Sequence, residues 1–393
     1  MKNQTLNILI VAAWYPSHKN PTEGSFIEEQ VEMLQKLGHK ITVLHPYLLG
    51  TFRESFNKNN YTHKETWKAC EVIRIGVKPL IPGCRTLAYK YLLYKTKKAL
   101  EKYSICIHDF DIIHSHALFM GGYIGLKLSQ KYQIPFVHTE HTSGLIAQPE
   151  QYSKADRKII QEVLLNASKT LFVSKFALEK TLIQYSISPS SNIEVLNNIV
   201  ASVFFEVEIN HFESNPFRYL VISRLHSRKG NELLLQGWKE VVKLYPRAQL
   251  TIAGEGPEKE KLIGITQTLN LKDSVIFLPH LSRTEVLKQI KQHHVLISVS
   301  RLETFGLTVA EAQAIGKPVV VTDSGGVRDI VTKETGIICE SHVNELAKAL
   351  IEIQVNYEKY DPHKIRELTY NKFSESVIGL QLEKIYSEIL NQN

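Results

Sequence analysis

The sequence predicts an α/β protein of two doubly wound domains, each a parallel sheet with helices on both faces. Three observations carry this. The chain has 393 residues, too many for one ordinary compact core and enough for two domains of roughly 150–200 residues. Short runs rich in Val, Ile and Leu recur without polar alternation, which is how strands buried on both faces read. Longer helical patterns separate these runs, as in a parallel sheet whose crossovers are helices.

In chain order, the first strand is expected over 6–13, then a helix over 26–37 and a strand over 40–45. Further strands are expected over 72–76, 111–114, 135–139 and 170–174, with helices over 87–103 and 156–166. The stretch 197–217, NNIVASVFFEVEINHFESNPF, fits neither period and ends in Asn-Pro, a turn signal. The break between halves is placed there. The second half repeats the theme with strands over 219–223, 249–253, 275–278, 295–299 and 319–322. Val377, Leu380, Leu382, Ile385, Tyr386, Ile389 and Leu390 have the spacing of an amphipathic helix. The expected domains are therefore 1–200 and 201–375, the first completed by the helix 376–393.

A charged share of 22% beside an apolar share of 43% excludes a disordered chain. Cys70, Cys84, Cys106 and Cys339 have no metal-ligand spacing, and so few thiols read as reduced and intracellular. The apolar run from Ile8 to Trp14 leads straight into Pro16-Ser17, which suits a buried strand better than a secretory leader. No stretch approaches the ~20 apolar residues that span a bilayer. The expected location is cytoplasmic, extending to the inner face of the membrane. The net charge of +7 suits an anionic small molecule, an anionic membrane surface or nucleic acid, and does not choose among them. No nucleic-acid reading module is recognisable, so no nucleic-acid partner is expected.

The chemistry concentrates in 300–330, SRLETFGLTVAEAQAIGKPVVVTDSGGVRDI. A strand precedes it, a loop runs through Gly306, and a helix is expected over 307–315, closed by Gly316 and Pro318. The next strand ends in a Ser-Gly-Gly turn that should lead into another helix. Both loops then lie at the carboxyl ends of parallel strands, where ligands bind. The helix after Gly306 offers free N–H groups and a positive dipole end, which suits a phosphate. Glu303 and Glu311 are acceptors, which suits vicinal hydroxyls. Taken as a lone pair they read first as surface glutamates.

The segment 223–230, SRLHSRKG, follows a strand and brings Arg224 and Lys229 to the same side of the sheet. Arg can hold phosphate oxygens through its fork, and Lys adds a point charge. Preorganised cations stabilise a departing diphosphate more than a bound one. Alone, the motif reads as a solvated loop. AGEGPE carries Gly254 and Gly256 but continues with Pro257 and Glu258 where a dinucleotide fingerprint has its third glycine. That argues against the rival reading of a hydride-transfer enzyme.

The order and spacing of these three segments resemble the retaining glycosyltransferases of family 4, which have the GT-B fold. Glu303 and Glu311 match the family's E-x7-E element, with FGL and EA around it. GKPVVVTDSGGVRDI matches the segment that follows. SRLHSRKG matches GR-L-x-x-x-KG, with Ser223 in place of glycine. AGEGPE matches the G-x-GPE turn. WYPSHKNPTEGSFIEEQVEMLQKLGHKITVL is similar to the family's opening, where Gly24 would hold a loop near the diphosphate. DIIHSHALFMGG and IPFVHTEH resemble two central strands of the first domain, and VLNNIV resembles the inter-domain NG-V element, with Asn198 in place of glycine. The resemblance covers nearly the whole chain and is strongest over 223–330.

It implies two Rossmann-like domains facing across a donor-binding cleft, with the last helix returning to the first domain. It implies that Glu303 contacts the transferred sugar, Glu311 the ribose hydroxyls, and Arg224 and Lys229 the diphosphate. Backbone amides from Phe305 to Thr308 would meet sugar and phosphate. His141 stands where a donor-contacting histidine is expected, although a lone histidine is more often a core or loop residue. His114, His116 and His138 lie in strand patterns and read as core. The implied reaction moves a hexose or N-acetylhexosamine from a nucleotide diphosphate sugar, UDP ahead of GDP, with retention and without a metal or cofactor. The acceptor would be a glycan or lipid-linked glycan in surface polysaccharide assembly, held by loops over 17–25, 48–68 and 144–154. The alternative is a non-catalytic nucleotide-sugar-binding partner of such an enzyme.

Over 85–103, RTLAYKYLLYKTKKALEKY, six basic residues stand against Glu101 alone. The pattern suits peripheral contact with an anionic membrane. The plain alternative is a solvated face over a buried leucine stripe.

Overall fold

The computed structural model describes residues 5–49, 60–79, 85–209 and 216–392. Cys84, part of the expected acceptor loop 48–68 and part of the break 197–217 lie outside them. The chain forms two compact units, Met1–Asn197 with Ile378–Asn393, and Asn198–Val377.

The first unit is built on β1 (Asn7–Ala12), β2 (Lys40–Leu48), β3 (Tyr61–Trp67), β4 (Cys70–Val77), β5 (Ile112–His116), β6 (Phe136–Glu140), β7 (Lys169–Phe172) and β8 (Ile193–Val195). They form one sheet in the order β3-β4-β2-β1-β5-β6-β7-β8. Leu9, Val11, Ile113, Phe136 and Phe172 lie in its core, each fully or almost fully buried. β1 pairs in parallel with β2 on one side and β5 on the other. The strand order therefore reverses beside β1, and the loops after β1 and β5 flank that point.

Three strands escape the periodicity argument, and one breaks the expected all-parallel rule. β3 runs antiparallel to β4. It is an edge strand, half-exposed and rich in polar side chains, so it lacks the apolar run that marks a central strand. Lys68, at φ 52°, turns the chain between the two. Behind them the buried Arg74 reaches Glu65 at 2.5 Å and His45 Nδ1 at 2.9 Å. β8 is three residues long, too short to carry a period.

The second unit holds β9 (Arg218–Ile222), β10 (Gln249–Ala253), β11 (Val275–Leu278), β12 (Val295–Ser298), β13 (Val319–Thr322) and β14 (Gly336–Cys339). All pairs are parallel, in the order β11-β10-β9-β12-β13-β14. Tyr219, Trp238, Leu250 and Leu346 are fully buried in its core. The switch in strand order falls between β9 and β12. β14 is the third unexpected strand. The helix expected after the Ser-Gly-Gly turn is instead one 3-10 turn, Gly326–Asp329. Val327 and Ile330 are drawn into the core, and a turn closed by Thr335 N–H on Thr332 O at 3.0 Å feeds the chain directly into β14.

The last helix, Glu375–Leu390, buries Leu382, Ile385, Tyr386 and Ile389. Within the first unit the Tyr386 hydroxyl meets His114 Nδ1 at 2.6 Å. Gly379 lies so near Met33 and Leu37 that a Cβ there would sit 3.1 Å from Leu37 Cδ1.

Candidate functional site

In the second unit the loops after β9, β12 and β13 converge at the carboxyl ends of the strands, around the switch point where such sheets bind ligands. Backbone ties join them. Arg301 N–H donates to Arg228 O at 2.9 Å, Glu303 N–H to Ser324 O at 2.9 Å, and Gly326 N–H to Glu303 O at 2.9 Å. Thr322 Oγ1 donates to Ser300 O at 2.9 Å. These ties make the three loops one platform, whose side chains are held by backbone elsewhere in the sheet.

On this platform Lys229 Nζ lies 2.5 Å from Glu303 Oε1, and the two side chains are 20% and 19% exposed. Ser300 Oγ donates to the same oxygen at 2.7 Å. Among the described residues no donor reaches Glu303 Oε2, which is left for another hydroxyl. Arg224 is exposed at the start of its loop.

The helix Leu307–Ala314 begins at Gly306, whose φ of 110° is open only to glycine without strain. No side chain caps this end. Among the described residues no acceptor takes the N–H groups of Leu307 and Thr308, the usual condition of a first turn. Phe305 turns its ring inward against Phe373, at 5.4 Å between centroids, so its backbone is the part that faces the loop.

Glu311, on the same helix, has no exposed surface. Arg283 Nη1 donates to its Oε1, while Oε2 has no partner among the described residues. Burial pushes the Glu311 carboxyl above its ordinary range, and the Arg283 charge opposes that. The two glutamates thus differ: Glu303 borders solvent, and Glu311 lies under Arg283.

Gly254 and Gly256 pack the loops together. A Cβ on Gly254 would fall 1.9 Å from Ser223 O, and one on Gly256 2.2 Å from Leu225 O. Their side-chain faces meet the loop that carries Arg224, not open space.

In the first unit Gly24 caps the helix Ser25–Lys36, against the backbone of Trp14. His141 follows β6, packed on Phe26 at 4.6 Å between ring centroids. Its Nε2 lies 3.1 Å from His116 Nδ1, so one ring donates and the other accepts. His116 stacks in turn on His114 at 4.4 Å. Burial lowers the His114 and His141 pKa values to about 3 and pushes His116 well below its ordinary value. All three are neutral rings. His116 Nε2 has no partner among the described residues.

Sequence reasoning missed Arg283, Ser300 and the His116–His141 contact. Ser300 sits three residues before Glu303, a local spacing that could have flagged it. Arg283 had no signal, because its partner lies 28 positions along the chain.

The helix Arg85–Lys102 buries Ala88, Tyr89, Leu92, Ala99 and Leu100 and exposes Leu87 and Tyr94 beside Lys90 and Lys98. Among the described residues no helix is long and apolar enough to cross a membrane. No group of three or more His, Cys, Asp or Glu side chains among them is placed to hold a metal ion.

Residues 204–369 match the family model of glycosyl transferases group 1, and residues 24–202 match that of glycosyltransferase family 4. One component of the human phosphatidylinositol N-acetylglucosaminyltransferase is 26% identical over 300 residues, 74% of this chain and 60% of the human protein. The chain thus spans about three-fifths of that relative's length. Alpha-monoglucosyldiacylglycerol synthase of Streptococcus pneumoniae is 24% identical over 381 residues, 92% of this chain and 81% of the relative. Among solved structures, Anabaena HepE in complex with UDP has the same fold, at a TM-score of 0.73 and 17% identity, over 98% of this chain and all of HepE.

Proposed function

We propose, for a chain that belongs to the glycosyltransferases of family 4 and has their GT-B fold, that it moves a hexose or N-acetylhexosamine from a UDP-sugar to a glycan or lipid-linked glycan, with retention at the anomeric carbon. The observation that carries this is the Lys229–Glu303 pair on the tied platform, beside the uncapped helix start at Leu307.

Breaking the bond between the sugar C1 and the diphosphate oxygen places a new charge on the diphosphate. Lys229, Arg224 and the N–H groups of Leu307 and Thr308 form a fixed positive surface for it, and such preorganisation favours the transition state over the bound donor. Glu303 Oε2 accepts from a hydroxyl of the transferred sugar. The charge-stabilising work then falls to side chains and backbone, without a metal and without a cofactor beyond the donor. In the first unit the reading assigns a donor contact to His141. HepE binds UDP, which supports a uridine donor. The two relatives carry phosphatidylinositol and diacylglycerol in their names, which supports a lipid-linked acceptor. The exposed Leu87, Tyr94, Lys90 and Lys98 suit contact with anionic lipid.

The test is release of nucleoside diphosphate from a panel of UDP- and GDP-sugars, with lipid and glycan acceptors, with and without a chelator. UDP release unaffected by the chelator is expected, with the anomeric configuration of the donor preserved in the product. Folded protein that binds UDP but never turns over a donor, even by slow hydrolysis, overturns the enzymatic reading in favour of a binding partner.

A further inference from the structure

We infer that Arg74 is a positioning residue that fixes the loop after β1, and so sets the first unit's contact with the donor diphosphate. The inference rests on the nucleotide-sugar reading above, which that contact presumes.

The loop over 13–24 leaves β1 beside the point where the strand order reverses, the place where a doubly wound sheet meets its ligand. Its far end is Gly24, at φ 68°, packed so that a Cβ there would lie 2.6 Å from Trp14 O. Ser17 and Asn20 close its tip by exchanging two backbone bonds, at 3.1 and 3.0 Å.

Arg74 holds the start of that loop. Its guanidinium meets partners from three segments. Nε donates to Glu65 Oε1 on β3 at 2.5 Å, Nη1 to His45 Nδ1 on β2 at 2.9 Å, and Nη2 to Pro16 O in the loop at 2.5 Å. Arginine only donates, so His45 Nδ1 accepts and the neutral ring carries its proton on Nε2. The same ring hydrogen-bonds the Ala13 backbone. Two points of the loop, Ala13 and Pro16, thus depend on one fork. Arg74 is 3% exposed and His45 6%, so water competes little for these bonds and the loop is ordered before a ligand arrives.

The antiparallel hairpin makes this possible. β4 carries Arg74, and β3 adds Glu65, without which a buried guanidinium would be costly. The hairpin turn reaches the loop a second time. The Trp67 ring lies edge-on to His18, 4.9 Å between centroids. Trp67 Nε1 donates to Glu28, in the first turn of the helix Ser25–Lys36. Lys68 Nζ lies 3.1 Å from the same carboxylate. The strand pair that departs from the parallel order is therefore the one that clamps the loop.

The experiment compares the full chain with its Arg74→Met, Arg74→Lys and Ile73→Val forms. Each is followed by hydrogen exchange, by calorimetric binding of UDP, and by turnover of the UDP-sugar that the release assay identifies. Ile73→Val is the control. It loosens β4 from the opposite face, in the core, and leaves every Arg74 contact in place. Thermal unfolding identifies folded forms, and Arg74→Lys keeps the buried charge should Arg74→Met fold poorly. In folded Arg74→Met the amides of Ser17 and Asn20 should exchange about tenfold faster or more, the sign of local opening. Turnover kcat should fall about tenfold or more, the effect of a misplaced contact. UDP affinity should stay within about twofold, because the second unit's cations and helix start are untouched. Arg74→Lys should recover only part of both losses, since an ammonium lacks the flat fork. Ile73→Val should lower the unfolding temperature and leave kcat and the two amides unchanged. Wild-type exchange at Ser17 and Asn20 in folded Arg74→Met, or wild-type kcat, overturns the inference. So does an equal kcat loss in Ile73→Val, which makes the effect one of general stability. A wild-type chain that neither binds UDP nor turns over a donor overturns the nucleotide-sugar reading instead; faster exchange at Ser17 and Asn20 then keeps the clamp without its catalytic consequence.

Discussion

The candidate carboxylates of the second unit each carry a cation: Lys229 on Glu303 and Arg283 on Glu311. The candidate histidine of the first unit sits instead among neutral rings, with His116 at 3.1 Å, Phe26 beside it and His114 beyond. The candidate carboxylates hold opposite charges in close pairs, whereas the candidate histidine stacks with uncharged rings. The second unit should therefore be sensitive to loss of a charge and the first to gain of one.

Acid is the strongest way to break that comparison. His45, His114 and His141 are held near a pKa of about 3, and His116 lower than ordinary, all chiefly by burial. In the unfolded chain each takes a proton near pH 6.5. Their folded pKa values are depressed, so the stability they share is complete above pH ~6.5 and is lost as pH falls toward 3. The slope is about 1.4 kcal/mol per pH unit for each histidine. Hydrogen exchange at pH 7 and pH 5 should show the first unit opening ahead of the second, where the buried His293 is depressed less, to about 4. Equal loss of protection in both units would erase the contrast.

Removing a cation tests the other side. Lys229→Ala should lower kcat/KM by about 10²–10³-fold, the size of losing one preorganised donor to a developing charge. Lys229 is partly exposed, so unfolding temperature should barely move. Nucleoside diphosphate release measures the first and calorimetry the second; normal turnover would sink the diphosphate assignment. Arg283→Met should behave differently and cost about 2–4 kcal/mol in denaturant unfolding, because it strands a buried carboxylate. Glu311→Gln in the same chain should restore much of that. If Arg283→Met and Lys229→Ala were equally harmless to folding, the buried and bordering pairs would not differ in kind.

The smallest effect concerns neither unit's site. Replacing Lys90 and Lys98 by Glu should weaken binding to anionic vesicles by about 1 kcal/mol per lysine removed, with greater loss from the added repulsion. Sedimentation with vesicles of rising anionic content reads this directly. Unchanged binding would leave the exposed Leu87 and Tyr94 as an ordinary solvated face.

The central strands were legible because each is a short apolar run that needs no partner to be recognised. β10, β11 and β13 fall where the periodicity puts them. β3 was not legible, since its residues are mostly polar and show neither an apolar run nor a clean alternation. Within the site, Glu303, Arg224 and Lys229 could be named from spacing, because the loops that carry them follow strands directly. The identity of each partner could not. Ser300 and Lys229 share one oxygen of Glu303 only after three loops are tied together.

The sequence alone determined the α/β class, the family and the residues that gather after β9 and β12, because buried strands and loop motifs are local patterns. Tertiary structure alone decided that Glu311 is buried against Arg283 and that His116 touches His141. These depend on burial and on contacts between elements far apart in the chain. No local period records them, because the desolvation that sets each group's charge exists only once the chain has folded.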